Sequence, residues 1–213
     1  MREMKKALRT QIRSQLSTLL PTTVSQQSTQ ITAHLLNSKE FQTAKNVSVY
    51  VSKQGAPEVS TTQIITEILR SGRGCFIPRC VSKTKMEMVR LNSLSELEAL
   101  PVNRMGIREP ALDEDRENAL DMVREGRGSL DLVILPLLAV DRQGWRLGHG
   151  AGYYDRFLEE MYALNAQGGV KNSTATIAVA LREQIVDESL PRDQYDMKPD
   201  FIITADGLLP AKE

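Results

Sequence analysis

Asp131-Leu-Val-Ile-Leu-Pro-Leu-Leu-Ala-Val-Asp141 encloses nine consecutive apolar residues, Leu132 to Val140, between two aspartates. A strand with one face in water alternates polar and apolar residues, and this run does not alternate. It predicts a strand covered on both faces, as in the middle of a parallel sheet. With nine residues and Pro136 inside it, the run is far short of the about 20 that a bilayer span needs, so no membrane crossing is expected. The chain continues as Arg146-Leu-Gly148-His-Gly150-Ala-Gly152-Tyr-Tyr-Asp155, then regains helical spacing through Leu158, Met161 and Tyr162. A buried strand leads into a glycine loop, and the loop opens a helix.

Outward from this unit, helices and strands alternate. Apolar Met1, Met4, Leu8, Ile12, Leu16 and Leu19 follow a helical period over Met1 to Leu20, with Arg2, Lys5, Lys6, Arg9 and Arg13 on an adjacent face. Pro21 stops that helix, and Thr22 or Thr23 can cap a second one carrying Val24, Ile31 and Leu35 inward. Val47, Val49 and Val51 alternate with Ser48 and Tyr50 as a strand. After Gly55-Ala-Pro57, the residues Ile64, Ile65, Ile68 and Leu69 predict a helix ended by Gly72. Cys75-Phe-Ile77 reads as a short strand before Pro78, Met86 to Leu91 as another, and Leu94 to Leu100 as a helical turn or two. From Glu109 to Glu125, seven acidic residues against Arg116 and Arg124 suggest a solvated loop and helix. Gly168-Gly169 begins a loop, and Thr176 to Leu181 and Phe201 to Ile203 read as late strands. The alternation indicates an α/β layered sheet, in one domain over residues 1–213 with an N-terminal helical extension.

Composition narrows the class. The 213 residues are 41% apolar and 25% charged, with 27 basic and 27 acidic side chains. That excludes a disordered tail, a collagen-like fibre and a coiled-coil rod. Zero net charge argues against delocalised nucleic-acid binding, which needs many uncompensated cations. The N-terminus is charged from its second residue and has no apolar signal core, so a cytoplasmic protein with reduced thiols is expected. Cys75 and Cys80 lie five apart, neither a C-x-x-C pair nor a zinc pattern with His34 or His149. His34 falls on the polar side of its helix with no visible partner.

Chemistry concentrates in the glycine segment. Three glycines at alternate positions keep side chains off the backbone and permit positive φ, which turns successive N–H groups inward. Those donors, with the helix start near Tyr153, attract phosphate oxygens, and Arg146 adds a fork able to pair two of them. The pattern is neither Walker A nor the Rossmann spacing. A glycine-rich turn packed for sheet curvature is the alternative. Asp155 would oppose phosphates unless a divalent metal lay between, with Asp196 as a second carboxylate; otherwise it is a helix N-terminal acid favoured by the dipole. Lys5 and Arg9 share a helical face, as a solvated stripe or as cations brought to a polyphosphate. Glu58 is part of a capping arrangement or an acceptor for the amino-pyrimidinone edge of a pterin. His149 is a proton shuttle or a contact to a ligand's edge.

The run Leu135-Pro-Leu-Leu-Ala-Val-Asp141, then Gly144, then Arg146 to Asp155 strongly resembles the 5-formyltetrahydrofolate cyclo-ligase family, also called methenyltetrahydrofolate synthetase. Supporting motifs, in order, are Lys5-x-x-Leu8-Arg9, Glu58-Val-Ser-Thr61, Phe76-Ile-Pro-Arg79, Gly106-Ile-Arg-Glu-Pro110 and Asp196-Met-Lys198. The resemblance implies a three-layer α/β/α fold with a mostly parallel central sheet. It also implies cyclisation of 5-formyltetrahydrofolate to 5,10-methenyltetrahydrofolate with ATP and Mg²⁺, and a monomer is expected. Position by position, Lys5, Lys6, Ala7, Leu8 and Arg9 would contact ATP, as would Arg146, Leu147, Gly148, His149, Gly150, Ala151, Gly152, Tyr153 and Tyr154. Asp155 and Asp196 would hold Mg²⁺. Val51 and Glu58 would contact the folate, and His149 to Tyr153 would lie between the two substrates. Arg146 is the expected catalytic clamp on the moving phosphoryl. Two departures stand out: Met105 where the family often has Trp, and His149 and Ala151 in the loop's variable slots. A sugar-phosphate isomerase, a CoA-utilising enzyme or a non-catalytic folate- or nucleotide-binding protein are the competing readings. A mitochondrial pool stays open.

Overall fold

Pro136 divides the apolar run into two strands that join different sheets. In the computed structural model, which describes residues 1–168 and 174–210, the first half of the chain forms α1 (Arg2–Leu16), α2 (Pro21–Asn37), α3 (Lys39–Thr43), β1 (Asn46–Val49), α4 (Thr62–Arg70), β2 (Gly74–Cys80), β3 (Met86–Leu91) and α5 (Leu94–Ala99). Then come α6 (Ala119–Arg124), β4 (Leu132–Leu135), β5 (Ala139–Asp141), β6 (Arg146–Leu147), α7 (Tyr153–Gln167), β7 (Ala175–Val179), β8 (Ile185–Val186), β9 (Phe201–Thr204) and β10 (Gly207–Pro210).

Among the described residues the large sheet has seven strands in the order β10-β9-β7-β4-β1-β2-β3, and a small one has the order β6-β5-β8. The five central strands of the large sheet run parallel, with β10 and β3 as antiparallel edges. The order grows outward in both directions from the β1–β4 pair. This is the topological switch point, where loops leaving two neighbouring strand ends turn apart and open a crevice. Those loops are residues 50–61 after β1 and the segment from Pro136 onward after β4.

Successive β4 side chains serve opposite faces. Leu132 and Ile134 pack with Ile31, Leu35, Ile64 and Ile68 of α2 and α4. Val133 and Leu135 pack with Leu120, Phe157, Leu158 and Met161 of α6 and α7. All four β4 side chains are fully buried, each worth about 1.5–3 kcal/mol. The expected α/β/α layering with a mostly parallel sheet is what forms. Helix α1 stands apart, setting Ile12 and Leu16 against Leu138, Ala139 and Leu147 of the small sheet.

Several local expectations change. The α1 stripe begins only at Leu8: Met1 and Met4 are exposed while Lys5 is buried, and the helix ends at Leu16 rather than Leu20. Pro21 is the first residue of α2, where its missing N–H is no loss, so neither Thr22 nor Thr23 caps it. The polar residues of the β1 segment are not exposed, because helices cover both faces there. Ser48 donates to Met88 Sδ and the Tyr50 hydroxyl to Val59 O (2.8 Å). Strand β2 runs on through Pro78 to Cys80, since its ladder with β1 stops at Phe76. The acidic stretch is not simply solvated: α6 buries Leu120, Met122 and Val123, Glu114 pairs with Arg116, and Glu117 pairs with Arg90 and Arg127. His34 does have a partner, its Nε2 lying 3.3 Å from Ala205 O. Gly169, in the expected loop, lies outside the described residues. Among those described, no helix is long and apolar enough to cross a membrane.

Candidate active site

Asp141, at the end of β5, builds the approach to the glycine loop. Its buried carboxylate accepts N–H bonds from Gln143 (3.0 Å) and Trp145 (2.9 Å) through Oδ1, and from Leu190 (2.9 Å) through Oδ2. The chain turns back as β6, with Ala139 opposite Leu147, and enters residues 148–152 beside the switch point. Gly150 has φ +117° and Gly152 φ +65°. Gly148 does not take a positive φ, so two of the three glycines, not all, use the conformation expected of them.

The loop is gripped from outside by its carbonyls. Arg9 Nε donates to Gly148 O (2.8 Å), Arg156 Nη2 to Ala151 O (2.6 Å) and, more loosely, Arg13 Nη2 to His149 O (3.4 Å). In a trans peptide the N–H points opposite to the C=O, so the amides of His149, Gly150 and Gly152 face away from these arginines. Among the described residues, no N–H from Gly148 to Gly152 donates to a protein acceptor. Unpaired donors of this kind, in a loop ending at a helix start, suit an anion.

Cations and carboxylates meet beside the loop. The nearly buried Arg146 guanidinium donates through Nη2 to Asp155 Oδ1 (2.6 Å), and its Nε is buried without a partner. Asp155 Oδ1 also accepts the Met197 N–H (3.1 Å), which holds it next to Asp196. Asp196 Oδ2 accepts from Lys5 Nζ (2.6 Å) and the Asp193 N–H (2.7 Å). Burial alone would lower the Lys5 pKa, but the hydrogen bonds to Asp196 and Asp193 outweigh it and raise it. Asp155 Oδ2 and Asp196 Oδ1 take no hydrogen bond among the described residues. No cluster of three His, Cys, Asp or Glu is present among those residues. Two adjacent carboxylates, each with one uncommitted oxygen, fit Mg²⁺, which takes one or two carboxylates and completes its shell with phosphate and water. They do not form an all-protein cage.

Glu58 and Val51, in the segment after β1, line a cleft of about 1230 Å³ with Gly106 and Arg108, and none of residues 146–155 borders it. Burial raises the Glu58 carboxyl pKa, opposed by the hydrogen bond its Oε1 accepts from the Lys53 N–H (2.7 Å) and by the Lys53 charge. Tyr154 links the halves. Its buried hydroxyl has no partner among the described residues, and burial pushes its pKa far up, with Arg146 opposing and Cys80 and Glu58 adding. Burial pushes the Cys75 thiol up to about 12, and at the exposed Cys80 partial loss of hydration together with the Glu109 carboxylate brings it to about 12 as well. Neither is a thiolate at neutral pH.

Over residues 1–205 the sequence matches the 5-formyltetrahydrofolate cyclo-ligase family. The chain belongs to that family. It is a ligase, 35% identical over 204 residues to the mouse (Mus musculus) 5-formyltetrahydrofolate cyclo-ligase, covering 95% of this chain and 94% of the mouse protein. A probable 5-formyltetrahydrofolate cyclo-ligase of Caenorhabditis elegans is 33% identical, covering 95% of this chain and 93% of its own. Among solved structures, the Aquifex aeolicus 5,10-methenyltetrahydrofolate synthetase superposes with a TM-score of 0.75 at 26% identity, covering 99% and 94% of the two chains.

On this scaffold, Lys5, Arg9, Arg146, the loop 148–152, Asp155 and Asp196 come together, while Val51 and Glu58 line a cleft that none of these residues borders. Lys6 and Ala7 are exposed, and Leu8 packs toward the small sheet. Tyr153 reaches the turn between β2 and β3, donating to Ser82 O (2.8 Å). Met105, at the position where the family often has Trp, is exposed beside Gly106, where a Cβ would lie 3.0 Å from Lys53 Cε. His149 is exposed at the loop tip, where loss of hydration and then the Arg13 and Arg9 charges lower its pKa. Sequence reasoning did not single out Asp141, Arg13, Arg156 or Asp193. Asp141, at the end of the apolar run, and Arg13, on the basic face of the first helix with Lys5 and Arg9, carried a signal; Arg156 and Asp193 did not.

Proposed function

We propose that this ligase converts 5-formyltetrahydrofolate to 5,10-methenyltetrahydrofolate, consuming ATP with Mg²⁺ and releasing ADP and phosphate. The observation that carries the reading is the loop from Gly148 to Gly152. Its amides have no protein acceptor among the described residues, and it stands beside two cations that are themselves paired to two adjacent carboxylates. The triphosphate would lie on those amides. Lys5 and Arg146 would exchange their carboxylate partners for phosphate oxygens, leaving Asp155 and Asp196 to the metal. Mg²⁺, when bound, would neutralise phosphate charge and fix the polyphosphate's orientation.

The chemistry needs no covalent nucleophile. A formamide oxygen is a poor leaving group. Transfer of the γ-phosphoryl to it gives an iminium phosphate and ADP; N10 then attacks the formyl carbon, loses its proton, and phosphate departs. Positioning and charge neutralisation are the protein's share of such a transfer. Arg146, with a buried Nε awaiting an acceptor, is the group placed to follow the moving phosphoryl. Glu58 would accept from the pterin's amino-pyrimidinone edge, with Val51 on the same wall and residues 149–153 between the substrates. On this reading the chain acts as a single-domain cytoplasmic monomer. The test is absorbance of the methenyl product with 5-formyltetrahydrofolate, with and without ATP and Mg²⁺. Product that requires both supports the reading, and product formed equally without ATP rejects it.

A further inference from the structure

Arg156, in the first turn of α7, bonds no carboxylate among the described residues. Its Nη2 donates to Ala151 O (2.6 Å) and its Nε to Thr84 O (2.7 Å), so one planar guanidinium ties the glycine loop to the turn between β2 and β3. Its Cζ lies 5.7 Å from the Tyr153 ring centroid, and Tyr153 holds the same turn through Ser82 O. The peptide between Ala151 and Gly152 is one that could rotate were its carbonyl released. It is flanked by glycine, which accepts either sign of φ, and its N–H has no partner among the described residues. Only its carbonyl is held, and Arg156 is what holds it.

We infer that Arg156 is a positioning residue that fixes the Ala151–Gly152 peptide so that the Gly152 amide is presented to the nucleotide's phosphates. This rests on the proposed binding of ATP along residues 148–152. Arg156 touches no reacting atom. It acts through the peptide plane, because holding the carbonyl on one side directs the N–H to the other. A fixed fork can hold two carbonyls at once; a lysine ammonium is a point charge on a flexible stem and does not reproduce that geometry. Charge alone is therefore not sufficient.

The test compares wild type with Arg156→Met, which keeps an apolar stem, and Arg156→Lys, which keeps the charge. Each is titrated with a non-hydrolysable ATP analogue and Mg²⁺, by calorimetry and by the ¹⁵N-resolved amide signal of Gly152. Wild type binds, and its Gly152 signal shifts with occupancy. In both variants affinity falls about tenfold, the worth of one charge-assisted donor. The Gly152 shift is lost while those of Gly148 and Gly150 persist, and binding of 5-formyltetrahydrofolate alone is unchanged. In a third variant, Arg156→Ala, which leaves space where the side chain stood, added guanidinium ion restores part of the affinity. Wild-type affinity and an unchanged Gly152 shift in Arg156→Met overturn the inference and leave the nucleotide site standing. Failure of wild type to bind the analogue overturns that site, and the inference with it.

Discussion

Gly150→Ala isolates the claim that the loop backbone is shaped for a ligand. Gly150 has φ +117°, a region where an L residue is strained by about 1–3 kcal/mol. The added Cβ would also sit 3.4 Å from Arg9 Cζ and 3.5 Å from its Nη1. Those are ordinary van der Waals distances, so the perturbation is the backbone strain, which relaxes by turning the loop peptides away from their present orientation. In a chain of this size each kcal/mol lowers Tm by about 2–4 °C, so a fall of about 2–12 °C is expected. Gly126→Ala is the matched control. Gly126 has φ +67° just beyond α6, with nothing within 4 Å of its would-be Cβ, and an alanine there costs about 1–2 kcal/mol. Calorimetric titration with a non-hydrolysable ATP analogue separates the two. Gly126→Ala melts earlier and binds as wild type, whereas Gly150→Ala melts earlier and loses affinity about tenfold or more, the equivalent of one lost anion donor. If Gly150→Ala bound the analogue as wild type does, the glycine would serve only the turn, and the reasoning about the loop amides would fail.

Arg146→Ala should lower kcat by about 10²–10³ with a much smaller change in folate affinity, as for loss of one transition-state donor; an unchanged kcat with only a raised KM for ATP would reduce Arg146 to a binding group. Glu58→Gln should lose folate affinity yet raise Tm at pH 7–8. The wild-type carboxyl has a raised native pKa, so its contribution to stability is full below the unfolded value of 4.5 and lost as pH rises through the native value. Equal melting of the two proteins at pH 8 would contradict this. His149→Gln should flatten the decline of Tm in acid. The lowered native pKa means that stability is full above the unfolded value of 6.5 and lost as pH falls through the native one; parallel pH profiles would count against it.

The fold was readable where one segment alone decides its surroundings. Leu132 to Leu135 can satisfy four apolar side chains on two faces only in mid-sheet, and β4 sits there. Pro136 hinted at a break, but not that β5 would leave for a second sheet, because both halves are equally apolar. The period of α1 was legible and its register was not: Met4 and Lys5 exchange roles because Asp193 and Asp196, almost two hundred residues away, draw the ammonium inward. The same limit hid much of the site. Lys5, Arg146, Asp155 and Asp196 are charges that find opposite charges, and their motifs mark them. Arg13 and Arg156 bind main-chain carbonyls, which every residue has, so along the chain they look like any solvated cation. Asp141 holds two amides of the β5–β6 turn and the Leu190 amide from beyond β8, an arrangement visible only once β5, β6 and β8 are assembled.

A crystal structure with a non-hydrolysable ATP analogue and Mg²⁺ would test the central claim most directly. The terminal phosphates should lie within about 3 Å of amide nitrogens between residues 148 and 152, with Arg146 alongside and Lys5 drawn away from Asp196. Phosphates bound elsewhere, with these amides still unpaired and both ion pairs intact, would contradict the account.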